Sequence, residues 1–289
     1  MLGAIAGDII GSPYEFNRNN IKTTDFPLFS KRSHFTDDTV MTFAVAQAVM
    51  KVIPVRGQVP DKNAFAEAVI DSMHELGHAY PKAGYGSKFV LWLSNRERQP
   101  YGSYGNGSAM RVSPVAWAFD DLETVETFAA LSAAVSHNHP EGVKGAQAVA
   151  SAIFLAIAEN TKEQIRDYVS ERYGYDLTRT LDEIRPSYKF DATCPGSVPE
   201  AITAFLEGSD FEDTVRKAVS LGGDSDTIAC IAGAIAEAYY EGFGKAEYIT
   251  EETFTRLDER LQRLYLSWAM WMTGDEYKLV RSNRRRRSR

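Results

Sequence analysis

Cysteine is nearly absent from this chain. Cys194 and Cys230 are the only two among 289 residues. They cannot build a disulfide framework or a thiolate zinc site, so a reducing, cytoplasmic setting is the expectation. No run of about 18 apolar residues occurs, which argues against a membrane-spanning helix. The opening stretch "MLGAIAGDIIGSPYEF" is apolar, but no basic segment precedes it and Asp8 interrupts it, so it does not read as a secretory signal. Sustained alternation of apolar and polar residues is missing, and strands are not expected. There is no repeat of fixed period and no Pro/Gly/Ser-rich linker to divide the chain.

Positive charge is also scarce over most of the length. The net charge is -7, but the last nine residues, "RSNRRRRSR", hold six arginines, leaving 26 basic against 39 acidic residues elsewhere, or -13. An acidic body argues against a nucleic-acid-binding face. Residues 281–289 form the one segment suited to nucleic acid or an anionic surface, and their plainer reading is a disordered, solvated tail. Residues 1–280 then form a single domain, expected to act as a monomer.

What the chain has in quantity is helical periodicity. Val40, Phe43, Ala44 and Met50 recur at helical spacing after Asp38. Phe65, Val69, Met73 and Leu76 do the same, and so do Val125, Phe128, Ser132 and Val135. "EGVKGAQAVASAIFLAIAEN" reads as a helix whose small residues allow close packing. Pro199 and Gly208 predict the start and stop of another. "DSDTIACIAGAIAEAYYEG" reads as a nearly continuous apolar helix, and "ETFTRLDERLQRLYLSWAMWM" as one long terminal helix. Residues 17–33, 81–108 and 187–198 read as irregular, and long loops in a helical domain tend to carry function. The expected fold is all-α: a compact single-domain bundle with long loops around a central cleft.

Two helix starts carry paired aspartates. "FTDDT" places Asp37 and Asp38 between Thr36 and Thr39, and "GGDSDT" places Asp224 and Asp226 before Thr227. Either pair alone reads as a cap favoured by the helix dipole. Together they offer four carboxylates and threonine hydroxyls, a hard all-oxygen set suited to Mg²⁺ or Mn²⁺ and not to zinc. If the two starts face each other, their charges repel unless cations lie between them, as in sites with two metals roughly 3.5–4 Å apart.

These motifs resemble those of the ADP-ribosylglycohydrolase family. The resemblance rests on "GAIAGDIIGSPYEF", "FTDDT", "YGNGSAMRVSPVAW", "SHNHPEGVKGAQA" and "GGDSDTIACIAGAIAEAYYEG", in that order, over residues 3 to 242. It implies a binuclear Mg²⁺ or Mn²⁺ centre ligated by Thr36, Asp37, Asp38, Asp224, Asp226 and Thr227, with Asp226 as the bridge. It implies hydrolysis of the glycosidic bond between ADP-ribose and an acceptor. N-linked ADP-ribosyl-arginine is the leading expectation. The alternatives are an O-linked, serine-type bond, a small-molecule ADP-ribosyl substrate, a non-catalytic ADP-ribose-binding protein on the same scaffold, and a two-metal phosphohydrolase acting on the diphosphate. Glu15 matches the family's amino-terminal glutamate, and Glu15 or Asp38 is the expected general base.

"YGNGSAMR" reads as a phosphate cradle or as a tight turn before a helix. As a cradle, Gly105 and Gly107 would admit close backbone approach, and Asn106 and Ser108 would offer side-chain hydrogen bonds. Arg111 would pair with phosphate or with a structural carboxylate. His137 is a candidate substrate contact, and His139 reads as a cap or packing residue. Tyr14, Tyr85, Tyr101 and Tyr104 are candidates to stack on adenine. Residues 77–100 match no motif for a particular acceptor.

Overall fold

Gly3, Gly7 and Gly11 stand four residues apart on one face of the first helix, and that spacing sets the centre of the molecule. In the computed structural model, residues 1–95 and 98–274 are described. The basic tail expected at 281–289 lies outside the described residues, as does the end of the expected domain. The helices are α1 (Leu2–Gly11), α2 (Asp37–Val52), α3 (Lys62–Ala79), α4 (Ser87–Ser94), α5 (Gly107–Met110), α6 (Ser113–Ala118), α7 (Leu122–Ala134), α8 (Pro140–Ile157), α9 (Lys162–Tyr173), α10 (Leu181–Ile184), α11 (Cys194–Glu207), α12 (Phe211–Val219), α13 (Ser225–Tyr239), α14 (Tyr248–Thr255) and α15 (Glu259–Thr273). Among the described residues there is no strand, only an isolated bridge between Gly105 and Thr193. The fold is all-α, as the periodicity predicts.

The glycine face of α1 lies antiparallel against α13. A Cβ on Gly3, Gly7 or Gly11 would fall inside 3.0 Å of the backbone of Gly233, Ala229 or Ser225. The two axes can therefore approach more closely than ordinary side chains allow. The pair is also pinned by hydrogen bonds at both ends. Ser225 Oγ donates to the Gly11 carbonyl at 3.1 Å. At the other end the amides of Leu2 and Gly3, which no helical carbonyl can serve, donate to the Glu237 carboxylate at 3.0 and 2.8 Å. Around this pair α2, α8, α11 and α12 complete one hydrophobic core. Phe65 of α3 and Phe119, which follows α6, meet Phe128 of α7 at ring separations of 5.0 and 4.6 Å. Burying each such ring contributes about 1.5–3 kcal/mol.

Several boundaries differ from the sequence reading. α11 begins at Cys194, not at Pro199, because Thr193 caps it by accepting from the Gly196 amide at 3.1 Å; Pro199 sits inside the helix. The expected single terminal helix is two. The first segment stops at Thr255, and Asp258 starts α15 by accepting from the amides of Arg260 and Leu261, each at 3.0 Å. The stretch expected to be irregular over 81–108 contains α4, which buries Phe89, Trp92 and Leu93. Both cysteines are buried and free.

A candidate binuclear metal centre and ligand cleft

The starts of α2 and α13 meet. Thr227 Oγ1 donates to Asp38 Oδ2 at 3.3 Å. Oxygen atoms of Asp8, Asp38 and Asp226 lie within 4.8 Å of one another, as do those of Glu15, Asp224 and Asp226. Asp226 belongs to both clusters. Asp37 is half-buried on the cleft wall and joins neither, though the chain passes close by it: a Cβ on Gly84, whose φ is +113°, would stand 3.1 Å from Asp37 Oδ1. Capping occupies neither Asp38 nor Asp224, while Asp226 Oδ1 accepts from the Thr227 amide at 2.9 Å. The cap of α2 is Thr36, which accepts from the Asp38 amide, and Asp224 makes no side-chain cap bond at the start of α13.

Their crowding has an electrostatic cost. Two unit charges 4–5 Å apart repel by about 3–4 kcal/mol at an effective dielectric constant of 20. Burial, and then the neighbouring carboxylates, push Asp37, Asp38 and Asp226 well above the ordinary range. Burial raises Asp224 as well. Glu15 is pushed up to about 8, first by burial and then by Asp224 and Asp8. The donor set is all oxygen, and Asp38 Oδ1 is buried with no hydrogen-bond partner. Hard divalent cations fit this arrangement: they accept carboxylate oxygens and remove the repulsion.

Asp8 is the residue that sequence reasoning missed. It sits fully buried on α1 and accepts four hydrogen bonds from the start of α2. Thr36 gives its amide at 2.9 Å and its hydroxyl at 2.7 Å, and Thr39 gives its amide at 3.1 Å and its hydroxyl at 2.5 Å. Asp8 therefore locks the "TDDT" turn to α1. The available signal was one charged residue inside an otherwise apolar, glycine-rich helix.

The cleft above the carboxylates encloses about 450 Å³, within the ordinary range for small-ligand sites. Gly105, Asn106, Gly107 and His137 line it beside Asp37, Asp38, Asp224, Asp226, Thr227 and Glu15. Asn106 has a different use from the expected one. Its amide donates to Asp224 Oδ2 at 2.7 Å and to Ser197 Oγ at 2.9 Å, so it orients a carboxylate. Ser108 also departs from expectation: its hydroxyl is fully buried and donates to the Gly142 carbonyl at 2.7 Å, which ties α5 to α8.

Arg111 is buried, and among the described residues it ion-pairs with no acid. It donates to the carbonyls of Gly107 and Ser132 and to Ser136 Oγ. His139 caps α8, accepting from the Glu141 amide at 3.1 Å. Of the four tyrosines only Tyr101 lines the cleft. Tyr14 packs on Phe26, Tyr85 on Phe89 and Tyr104 on His139. Phe16 and Phe190 were not singled out by sequence, yet they stack at 5.2 Å on the cleft wall. Phe16 holds a left-handed backbone, φ 67°, which is uncommon for a bulky residue.

A family model for ADP-ribosylglycohydrolase matches residues 1–284. ADP-ribosylhydrolase ARH3 of Mus musculus is 30% identical over 318 aligned residues, covering 83% of this chain and 82% of its own length. ADP-ribosylhydrolase ARH3 of Homo sapiens is 29% identical, covering 83% and 84%. A solved structure titled "ADP-ribosylglycohydrolase-related protein complex" shares the fold, with a TM-score of 0.61 at 22% identity, covering 94% of this chain and 97% of that one. The resemblance carried by "FTDDT" and "GGDSDT" thus extends over nearly the whole length. This chain belongs to the ADP-ribosylglycohydrolase family, and its chemistry is that of an ADP-ribosyl glycohydrolase.

Proposed function

We propose that this protein is a divalent-metal-dependent hydrolase that frees ADP-ribose from a modified acceptor, with an O-linked hydroxyl acceptor favoured over arginine. The observation that supports it is the meeting of two aspartate-bearing helix starts beside the Gly105–Gly107 loop in one cleft. Thr36, Asp37, Asp38, Asp224, Asp226 and Thr227 would hold two Mg²⁺ or Mn²⁺ ions. Such ions supply the positive charge that offsets these carboxylates and draws ribose hydroxyls and water into ordered positions.

The remaining work falls to the chain's own groups. Cleaving a glycosidic bond requires that water lose a proton and that the departing acceptor gain one. Asp38, ionised once cations offset its neighbours' charges, would accept the proton at Oδ1, which has no hydrogen-bond partner. Glu15, in the cluster with Asp224 and Asp226, would give the departing hydroxyl its proton. Beyond the carboxylate clusters the lining includes Phe16, Lys88, Phe89 and Phe190. A guanidinium there would meet a lysine charge, while the carboxylates of the lining, Asp37 included, are assigned above to the metal ions. A neutral serine-type hydroxyl meets no such penalty, and this supports the O-linked reading over the arginine one.

The test is a pair of defined peptides, one ADP-ribosylated on serine and one on arginine, incubated with Mg²⁺, Mn²⁺ or EDTA, with products separated. ADP-ribose release from the serine peptide should need metal and exceed release from the arginine peptide by about ten-fold or more, equivalent to about 1.4 kcal/mol. Faster release from arginine would reverse the acceptor assignment. AMP as the product would make the enzyme a diphosphate hydrolase. Tight ADP-ribose binding without release from either peptide would make the protein a binding module.

A further inference from the structure

We propose that Arg111 is a positioning residue that acts through Ser136 to hold His137 as an Nε2–H donor facing the Gly105–Gly107 loop, the donor that the phosphate cradle expected there requires. The proposal deepens the functional reading above and rests on it for the identity of the ligand, but not for the arrangement of the side chains.

The direction of each hydrogen bond follows from what each group can give. A guanidinium only donates, so Arg111 Nη2, 3.0 Å from Ser136 Oγ, makes that oxygen an acceptor. The Ser136 hydroxyl is fully buried and has one further neighbour, His137 Nδ1 at 2.8 Å. If Nδ1 carried the proton, the serine hydrogen would be left buried without an acceptor, which is costly. The favoured arrangement is therefore Arg111 to Ser136 to Nδ1, and the ring proton resides on Nε2. Burial, followed by the Arg111 charge, holds His137 well below the usual histidine range, so the ring is neutral.

Nε2 has no described partner and lies where the two glycines leave space. A Cβ on Gly107 would sit 3.1 Å from it and one on Gly105 3.5 Å from it. Arg111 also removes an acceptor from this part of the cleft, because its Nη1 takes the Gly107 carbonyl at 3.0 Å. What remains there is an N–H donor above a buried guanidinium that no described carboxylate neutralises. An anionic oxygen satisfies both features. A neutral hydroxyl would satisfy only the donor, and a cation would oppose the guanidinium.

The test uses the whole protein with ¹⁵N-labelled histidine. The imidazole nitrogens are read by NMR without substrate, in the parent and in Ser136→Ala. Dissociation constants for ADP-ribose and for AMP are measured alongside KM and kcat. We expect His137 of the parent to show a bare Nδ1 and a protonated Nε2. Ser136→Ala should mix the tautomers and weaken both ligands by about ten-fold, the size of one hydrogen bond to a charged group. Its KM should rise by a larger factor than kcat falls. A protonated Nδ1 in the parent would overturn the proposal, and so would an Nε2–H tautomer and affinities unchanged in Ser136→Ala. Arg111→Lys, which cannot reach all three acceptors with one ammonium, should repeat the tautomer mixing if it folds. The NMR result stands apart from any assay of hydrolysis, so a wrong acceptor assignment leaves it intact.

Discussion

Replacing Asp8 with asparagine keeps the side chain's size and removes its charge. Four donors converge on that carboxylate. Asp8 Oδ2 takes three of the donors and Oδ1 only the Thr36 hydroxyl, so the asparagine NH₂ is best placed at the Oδ1 position, facing a hydroxyl that can turn to accept. Hydrogen bonds to a charged group contribute about 1.5–3 kcal/mol each and neutral ones about 0.5–1.5 kcal/mol, so weakening the three bonds to the remaining oxygen costs about 3 kcal/mol. Part of this returns, because Asp8 is itself buried and adds to the repulsion at Asp37, Asp38 and Glu15. A net loss of about 2 kcal/mol remains, equivalent to a fall in Tm of roughly 4–8 °C for a chain of this size. The assay is thermal unfolding of Asp8→Asn and its parent in EDTA, followed by Mg²⁺ and Mn²⁺ titration by calorimetry. Because Asp8 holds Thr36 and the turn carrying Asp38, metal affinity should fall together with stability. Unfolding within about 2 °C of the parent, with metal affinity unchanged, would refute the account of Asp8 as the lock of this turn.

Three further outcomes are expected. Asp226→Ala removes the carboxylate common to both oxygen clusters and should reduce ADP-ribose release by more than roughly 100-fold while lowering the metal stoichiometry found by calorimetry; two ions still bound would contradict the sharing. Gly7→Ala drives a Cβ into the α13 backbone at Ala229 and should destabilise by about 3 kcal/mol in a denaturant titration, whereas a neutral effect would mean that α1 can slide. In EDTA, stability should decline with rising pH. The folded pKa of Glu15 is raised from 4.5 to about 8, so its contribution is fully present below the unfolded value and is lost as pH rises through the folded one. The stabilisation given by Mg²⁺ should accordingly be small near pH 5 and large near pH 8, as read by Tm, and a metal-free Tm that climbs across that range would oppose this.

The start of α2 was legible because a capping threonine, two first-turn acids and an apolar run sit together in sequence. That it meets the start of α13 was implied by the family resemblance but not by spacing, since the meeting depends on the close α1–α13 approach permitted by Gly3, Gly7 and Gly11. Asn106 was visible as a polar residue between glycines, but only the fold directs its amide to Asp224. Phe16 and Phe190 lie far apart in sequence, and their stacking is a purely tertiary fact. The break before α15 was missed because Asp258 is one acid among several in that stretch, and its capping geometry overrides a helical pattern on both sides. At the start of α2 a local signal gave the right reading, whereas the equally local Pro199 misplaced the start of α11. Where a residue's role is set by what another segment brings to it, spacing alone carried no trace.

Asp226 stands in both oxygen clusters, so cations bound at the two, as proposed, would share one equilibrium. A carboxylate that has already given up charge to a first cation offers less to a second. The two cations should therefore load in order of affinity, with a singly filled form between the empty and full states. The supply of divalent ion would then set how much of the protein is fully loaded, which gives the centre a graded response to its surroundings.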